Sequence, residues 1–305
     1  MEKKLEKVCT KCTEATIKVY NTNLRRLYKM YSGKKVKTLK DVPETPKWLM
    51  SAKLEEAYNK FPFNIRRHLS SSAFIGTKAY GLKPSNKWNK LMLRDAKQYE
   101  DNRSKNKKSE YEEKNIPKNG MKDLTKAIKL YKSQIRRTLE GKPTLAGLYK
   151  YQLFLALKFM TSDTPLRNDL PTLNVEAEKD NYLKKKKNTY TIVMTNFKNS
   201  SRIGPREIKL SRANSMEMKR FLKYRSELVD HDFLFSLKNG KPMSKKAFSQ
   251  SLIKLTTDLL GRRIGSRLLR IIFATKNEEL LSKADKVSNQ MLHTTKQTRE
   301  YVRKK

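Results

Sequence analysis

At 305 residues the chain has room for two modest domains, each with its own core. It carries 70 Lys and Arg against 30 Asp and Glu, a formal charge of +40 that repels itself in a compact fold and makes a polyanion the natural partner. Nucleic acid fits this balance better than a membrane: no apolar run approaches the roughly 20 residues of a spanning helix, and no signal peptide opens the chain.

Cys9 and Cys12 form one CxxC near the start of a helix. A zinc site needs about four ligands, and no second CxxC or His pair follows. A redox motif would sit near a βαβ pattern, which is absent. The pair reads as two neighbouring structural residues, and so few cysteines suit a reducing, intracellular setting.

Ile17, Tyr20, Leu24, Leu27, Tyr28 and Tyr31 recur at spacings of three and four, predicting a helix with Thr13 as N-cap and Gly33 as its stop. Its polar face carries Lys18, Arg25, Arg26 and Lys29, so one side packs while the other meets phosphates. A second helical stretch over 47–59 follows the break at Pro43 and Pro46. A third follows Pro62 and runs to about Tyr80, adding Arg66 and Arg67 to the candidate DNA contacts. These residues make a helical first domain over 1–95. The segment 96–120 is charge-dense, almost without apolar residues, and ends in Pro117 and Gly120, which reads as a linker whose start can extend the preceding helix.

The second domain is predicted over 121–305. Leu124, Ile128, Tyr131, Ile135 and Leu139 form one apolar stripe ended by Gly141. The stretch Leu145 to Met160 is apolar nearly all round, which predicts the buried central helix. Short strands are expected at 173–175 and 190–194, and Glu207 to Leu210 closes a hairpin around the turn that holds Lys198. Lys184 to Lys187 reads as a solvated loop able to lean on a phosphate. Helices follow over 216–228, from Ser244 as N-cap through Leu259, and around Arg270 to about Leu281. A short helix capped by Ser282 and a last one carrying Tyr301 complete a mainly α fold with a small antiparallel β-sheet, without internal repeats.

The C-terminal half contains, in order, Arg167 within Thr164-Pro165-Leu166-Arg167-Asn168-Asp169-Leu170, Lys198 within Asn196-Phe197-Lys198-Asn199-Ser200, Arg267 and Arg270 within Arg267-Leu268-Leu269-Arg270-Ile271-Ile272-Phe273-Ala274-Thr275, then His293 and Tyr301. This order resembles the catalytic domain of the tyrosine recombinase (phage integrase) family: an arginine, a hairpin lysine, His-x-x-Arg, a histidine or tryptophan, and a tyrosine nucleophile. The resemblance covers about Asp123 to the C-terminus. Residues 1–95 are similar more loosely to the family's helical core-binding domain. The Lys- and Asn-rich style and the shortened motif around His293 are similar to integrases of mobile elements and large DNA viruses.

The resemblance implies cutting and rejoining of double-stranded DNA through a 3′-phosphotyrosine, with several protomers, a tetramer, on paired sites. Two arginines can clamp the non-bridging oxygens of a phosphodiester as charge grows on them. Tyr301 has an ordinary pKa of about 10 and needs its proton removed or its anion stabilised, which His293 can serve. Lys198, with three donors on a flexible stem, suits protonation of the leaving 5′ oxygen. A phosphotyrosine keeps the bond energy for religation, so neither ATP nor metal is implied, and the chain lacks a Walker-type loop. Such a protein acts inside the cell, in nucleus or cytoplasm, wherever its target DNA lies.

The sequence departs from the family at several points. Arg267 stands where the family has histidine, Pro165 replaces a glycine, and Leu170 takes the place of an acidic residue, with Asp169 one position earlier and able to orient an arginine. His293 and Tyr301 are eight residues apart rather than nine. Two alternatives follow: a decayed recombinase that only binds DNA, and a topoisomerase IB-like or resolvase enzyme using the same residues. His68 and His231 read as structural, although Asp230-His231-Asp232 invites a metal-nuclease reading.

Overall fold

The computed structural model describes residues 2–10, 12–83, 85–105, 107–162, 165–198 and 200–283. The chain is mainly helical with one small antiparallel sheet, and it divides into two compact units, Met1–Lys107 and Lys108–Lys305.

The first unit is built from helices α1 (Glu2–Val8), α2 (Glu14–Ser32), α3 (Ala52–Asn59), α4 (Phe63–Ala79) and α5 (Ser85–Ser104). In α2 the Thr13 hydroxyl accepts from the Thr16 amide, and Gly33 ends the helix at φ 69°, a left-handed conformation that costs glycine little. The α2 stripe of Ile17, Leu24 and Leu27 is buried with Leu54, Tyr58, Leu69 and Trp88. Helices α4 and α5 pack along one another, and the Trp88 indole donates to the Leu49 carbonyl at 3.0 Å. Cys9 and Cys12, expected as two neighbouring residues, are joined in a disulfide with Cα atoms 5.3 Å apart, between α1 and α2.

Two other expectations change here. Residues 47–59 are not one helix but a 3-10 turn, Lys47–Met50, followed by α3. The start of the predicted linker extends a helix, α5, which runs to Ser104, but its later part also holds α6 (Glu110–Asn115), which belongs to the second unit. The reason lies in Asp95, fully buried in α5, which accepts from the Tyr58 hydroxyl and pairs with Arg66 and Arg94, each at 3.1 Å. A polar-looking stretch thereby continues a helix that is anchored at Asp95 while most of its later residues are exposed.

In the second unit α7 (Met121–Glu140) lays Leu124, Tyr131 and Ile135 on α8 (Leu145–Ser162), whose residues from Leu153 to Leu157 are all buried. Gln152 of α8 fastens the core to an adjacent strand-like segment, its amide pairing with both the Ser236 N–H and C=O at 2.9 and 2.6 Å. The sheet has the order β1 (Tyr182–Lys186), β2 (Thr189–Met194), β3 (Arg206–Lys209), all antiparallel. The lysine run expected as a loop is therefore mostly strand: Lys184 to Lys186 pair with β2, and Lys187 opens a two-residue turn at φ 53°. Leu173 to Val175 forms no strand; Asn174 makes isolated bridges to Tyr182 and Phe233.

Helix α9 (Ser200–Ile203) lies in the β2–β3 connection, and α10 (Arg212–Ser226), α11 (Lys245–Leu260) and α12 (Ser266–Lys276) follow. Ser244 caps α11 and Gly261 ends it at φ 62°. After α12 a further helical stretch occupies 278–283, so Ser282 lies inside a helix instead of capping one.

Candidate active site

Arg167 follows α8 in a short turn that the 3-10 helix Leu170–Thr172 closes, and Arg270 stands on α12, about a hundred residues later in the chain. The fold brings both to one cavity of about 300 Å³, with Pro165, Leu166, Asp169, Met194, Phe197, Arg206 and Ile208. Burial, then the Arg167 charge and the Arg267 charge, push the Arg270 guanidinium below its ordinary value. Arginine stays protonated at any working pH, so Arg270 carries its charge in a partly buried place with the Arg167 and Arg267 charges nearby. The apolar walls, Leu166, Met194, Phe197 and Ile208, keep the local dielectric low and strengthen whatever charge interaction forms there.

The carboxylate in this cavity is not the arginines' partner. Asp169 is buried and accepts from Lys245, the first residue of α11. The expected role of Asp169 in orienting an arginine is thus replaced by an ion pair that pins the Arg167 turn to α11. Among the described residues neither arginine is paired with a carboxylate, and a planar guanidinium can grip two oxygens of an anion at once.

Of the other expected residues, Lys198 and Arg267 do not line this cavity. Lys198 is exposed in the β2–β3 connection, next to Phe197, and does not itself line the cavity. Arg267, one turn before Arg270, donates to Glu112 at 2.6 Å. That carboxylate also completes the capping box of α6, accepting from the Ser109 amide at 2.9 Å. The Ser109 amide bond foremost, and the Arg267 charge with it, hold Glu112 below the usual carboxylate range. Arg267, at the position aligned with the family's histidine, thus links α6 to α12 through an ion pair. His293 and Tyr301 lie outside the described residues.

Among the expected DNA contacts of the first unit, Arg66 is turned inward to Asp95 and Arg25 donates to the Lys37 carbonyl at 2.7 Å. Arg26 lies over the Phe61 ring at 4.7 Å and Arg67 over the Tyr99 ring at 3.7 Å. Lys18 pairs with Glu14 one turn earlier and is exposed. His231 sits in a structural network, with Ser236 Oγ 3.0 Å from one ring nitrogen and Arg225 3.2 Å from the other.

Sequence reasoning missed Arg206. It begins β3 one residue before the predicted strand and faces the cavity with Ile208, as alternation along a strand requires. Had the strand been extended by one residue, the same period would have placed Arg206 beside the two arginines.

No family model matches the sequence, and no curated protein matches it. Among solved structures, the XerH site-specific recombinase in its post-cleavage complex with palindromic difH substrate superimposes with a TM-score of 0.53 at 16% identity, covering 100% of this chain and 82% of that one. The fold is that of a tyrosine recombinase. Weaker superpositions, with the pre-cleavage XerH complex with difH substrate (TM-score 0.44, 16% identity, 100% and 90% covered) and with XerA recombinase (0.39, 13%, 90% and 83%), carry no further weight. Within the recombinase fold, the cavity of Arg167, Arg206 and Arg270 lies between the end of β2, the start of β3 and α12.

Proposed function

We propose that this chain is a site-specific DNA recombinase that cuts and rejoins duplex DNA through a phosphotyrosine at Tyr301. The observation that carries the proposal is the meeting of Arg167 and Arg270, far apart in sequence, in one cavity whose carboxylate is engaged elsewhere. In the proposed reaction these arginines grip the non-bridging oxygens of one phosphodiester, and the Tyr301 oxygen attacks phosphorus. The Tyr301 proton passes to His293, the bond from phosphorus to the 5′ oxygen breaks, and Lys198 protonates that oxygen as it leaves. Religation runs the same steps in reverse, so strand exchange proceeds without an energy source. Exchange between paired sites needs several protomers, a tetramer as in the family.

A second function is favoured by one observation: Arg267, at the family's histidine position, is tied to Glu112. That leaves one proton acceptor fewer and is compatible with a chain that binds DNA without cutting it. A suicide duplex incubated with the protein in EDTA separates the two. A covalent protein–DNA adduct that disappears in Tyr301→Phe supports the recombinase, and binding without adduct supports the decayed form. Loss of cutting on chelation would refute both. Relaxation of supercoiled plasmid at any sequence would move the activity to a topoisomerase.

A further inference from the structure

A second basic surface lies at the opposite end of β2 from the arginine cavity. That cavity is built at Met194 and Phe197, whereas the Lys187-Asn188 turn precedes the first residue of β2, about 17 Å away at ~3.3 Å per residue. Beside the turn, a cavity of about 480 Å³ is lined by Asn188 and the outward face of α10, including Arg212, Lys219, Arg220 and Lys223. Arg220 also lines an adjoining cavity of about 620 Å³, to which α7 contributes Lys129, Lys132 and Arg136. Neither cavity shares a residue with the arginine cavity.

The two carboxylates that line this groove are already engaged. Glu217 is buried and accepts from Tyr151 at 2.8 Å, Lys132 at 3.2 Å and Lys158 at 3.3 Å. Glu140 pairs with Arg136 at 3.0 Å. Beside them Lys219 and Lys223 stand one turn apart on α10, like charges that repel at that spacing. The exposed Lys184 to Lys187 adds charge at the hairpin end. An anion lying in the groove relieves this repulsion. The lining aromatic rings, Tyr151 and Tyr224, are buried and offer no face on which unpaired bases could stack. The lining lysines and arginines, set among Asn188, Ser133 and the apolar Met216 and Leu139, suit backbone phosphates more than base readout.

We propose that this groove binds a second duplex DNA segment through its phosphates, without sequence preference and apart from the segment held at the arginine cavity. The groove's own charge and shape carry this, whether or not Tyr301 cuts DNA. The variant K129Q/R136Q/K219Q/K223Q removes four cations and leaves Lys132 in place on Glu217. Sedimentation with a short blunt duplex at low salt is expected to show two duplexes per chain for the wild type and one for the variant. The slope of log affinity against log salt is expected to shrink by about 3 to 4. Adduct yield on a suicide duplex is expected to stay unchanged. A control, K142Q/K150Q/K238Q/K241Q, removes four exposed lysines that line neither cavity and is expected to keep both duplexes. One duplex per wild-type chain overturns the inference. So does a control that loses the second duplex as readily as the groove variant, or a groove variant that loses its adduct. A wild type that binds two duplexes yet forms no adduct sinks the strand-cutting proposal alone.

Discussion

Arg270 and Arg167 line one cavity while the carboxylate that shares it, Asp169, serves Lys245. Two cations with no counter-ion among the described residues form an anion clamp, and its value depends on shape as well as charge. Arg270→Lys keeps the charge and loses the fork, so its adduct-forming rate is expected to fall about 10²- to 10³-fold while duplex binding changes little. A quenched time course on a suicide duplex, beside an equilibrium titration, measures both; equal losses in the two would mark an ordinary surface contact. Arg267 should behave oppositely. Its ion pair with Glu112 leaves the arginine side chain 67% exposed, so Arg267→Ala is expected to lower stability by about 1 kcal/mol or less. The adduct rate should stay within a few-fold of wild type, and a loss as large as that of Arg270→Lys would return Arg267 to the site.

At the level of elements, α7, α8 and α10 are joined through Glu217. Burial pushes its carboxyl up, but the Tyr151 hydrogen bond and the charges of Lys158 and Lys132 outweigh burial and hold it below its ordinary value. A carboxyl lowered by folding stabilises the fold above its unfolded pKa, about 4.3, and loses that contribution as pH falls through the folded value. The melting temperature is therefore expected to drop below about pH 4, and Glu217→Gln to lack that part of the drop. At neutral pH, Glu217→Gln should cost about 1–3 kcal/mol. Near the start of α8, Gly147 leaves room for the Tyr224 hydroxyl, which accepts from the Thr144 amide at 3.1 Å. Gly147→Ala places a methyl group against that oxygen and is expected to cost about 1–3 kcal/mol, read by thermal or urea unfolding.

The elements legible in the sequence were those whose burial follows a plain stripe with a cap: α2 between Thr13 and Gly33, and α11 between Ser244 and Gly261. Those that were hidden owe their place to polar groups satisfied inside. Helix α5 hides behind Asp95, and β1 behind three lysines whose backbone is held by β2. The site divides in the same way. The order of arginines pointed to Arg167 and Arg270, but the Asp169–Lys245 pair and the inward turn of Arg66 depend on tertiary neighbours that no local pattern announces.

For the whole molecule, a charge of +40 makes two responses to salt run in opposite directions. Screening weakens self-repulsion, so the melting temperature is expected to rise as ionic strength increases from about 0.01 M, where charges interact over ~30 Å, toward 0.15 M, where they reach ~8 Å. Phosphate contacts weaken over the same range, so duplex affinity is expected to fall steeply. Parallel thermal melts and filter-binding titrations in one salt series test this; a melting temperature that falls with salt would contradict it. The salt slope should also count fewer cations than composition implies, because Arg66 and Lys245 are occupied internally.

The small helix α6 has a practical consequence for anyone dissecting the protein. Its Tyr111 hydroxyl donates to the Arg263 carbonyl, its Asn115 accepts from the Arg263 amide, its Lys114 carbonyl accepts from Arg262, and Glu112 takes Arg267. A fragment cut to begin at Met121 would lack the brace that steadies α12 from outside, and with it the footing of Arg270. Expression of the C-terminal half should start at Lys108.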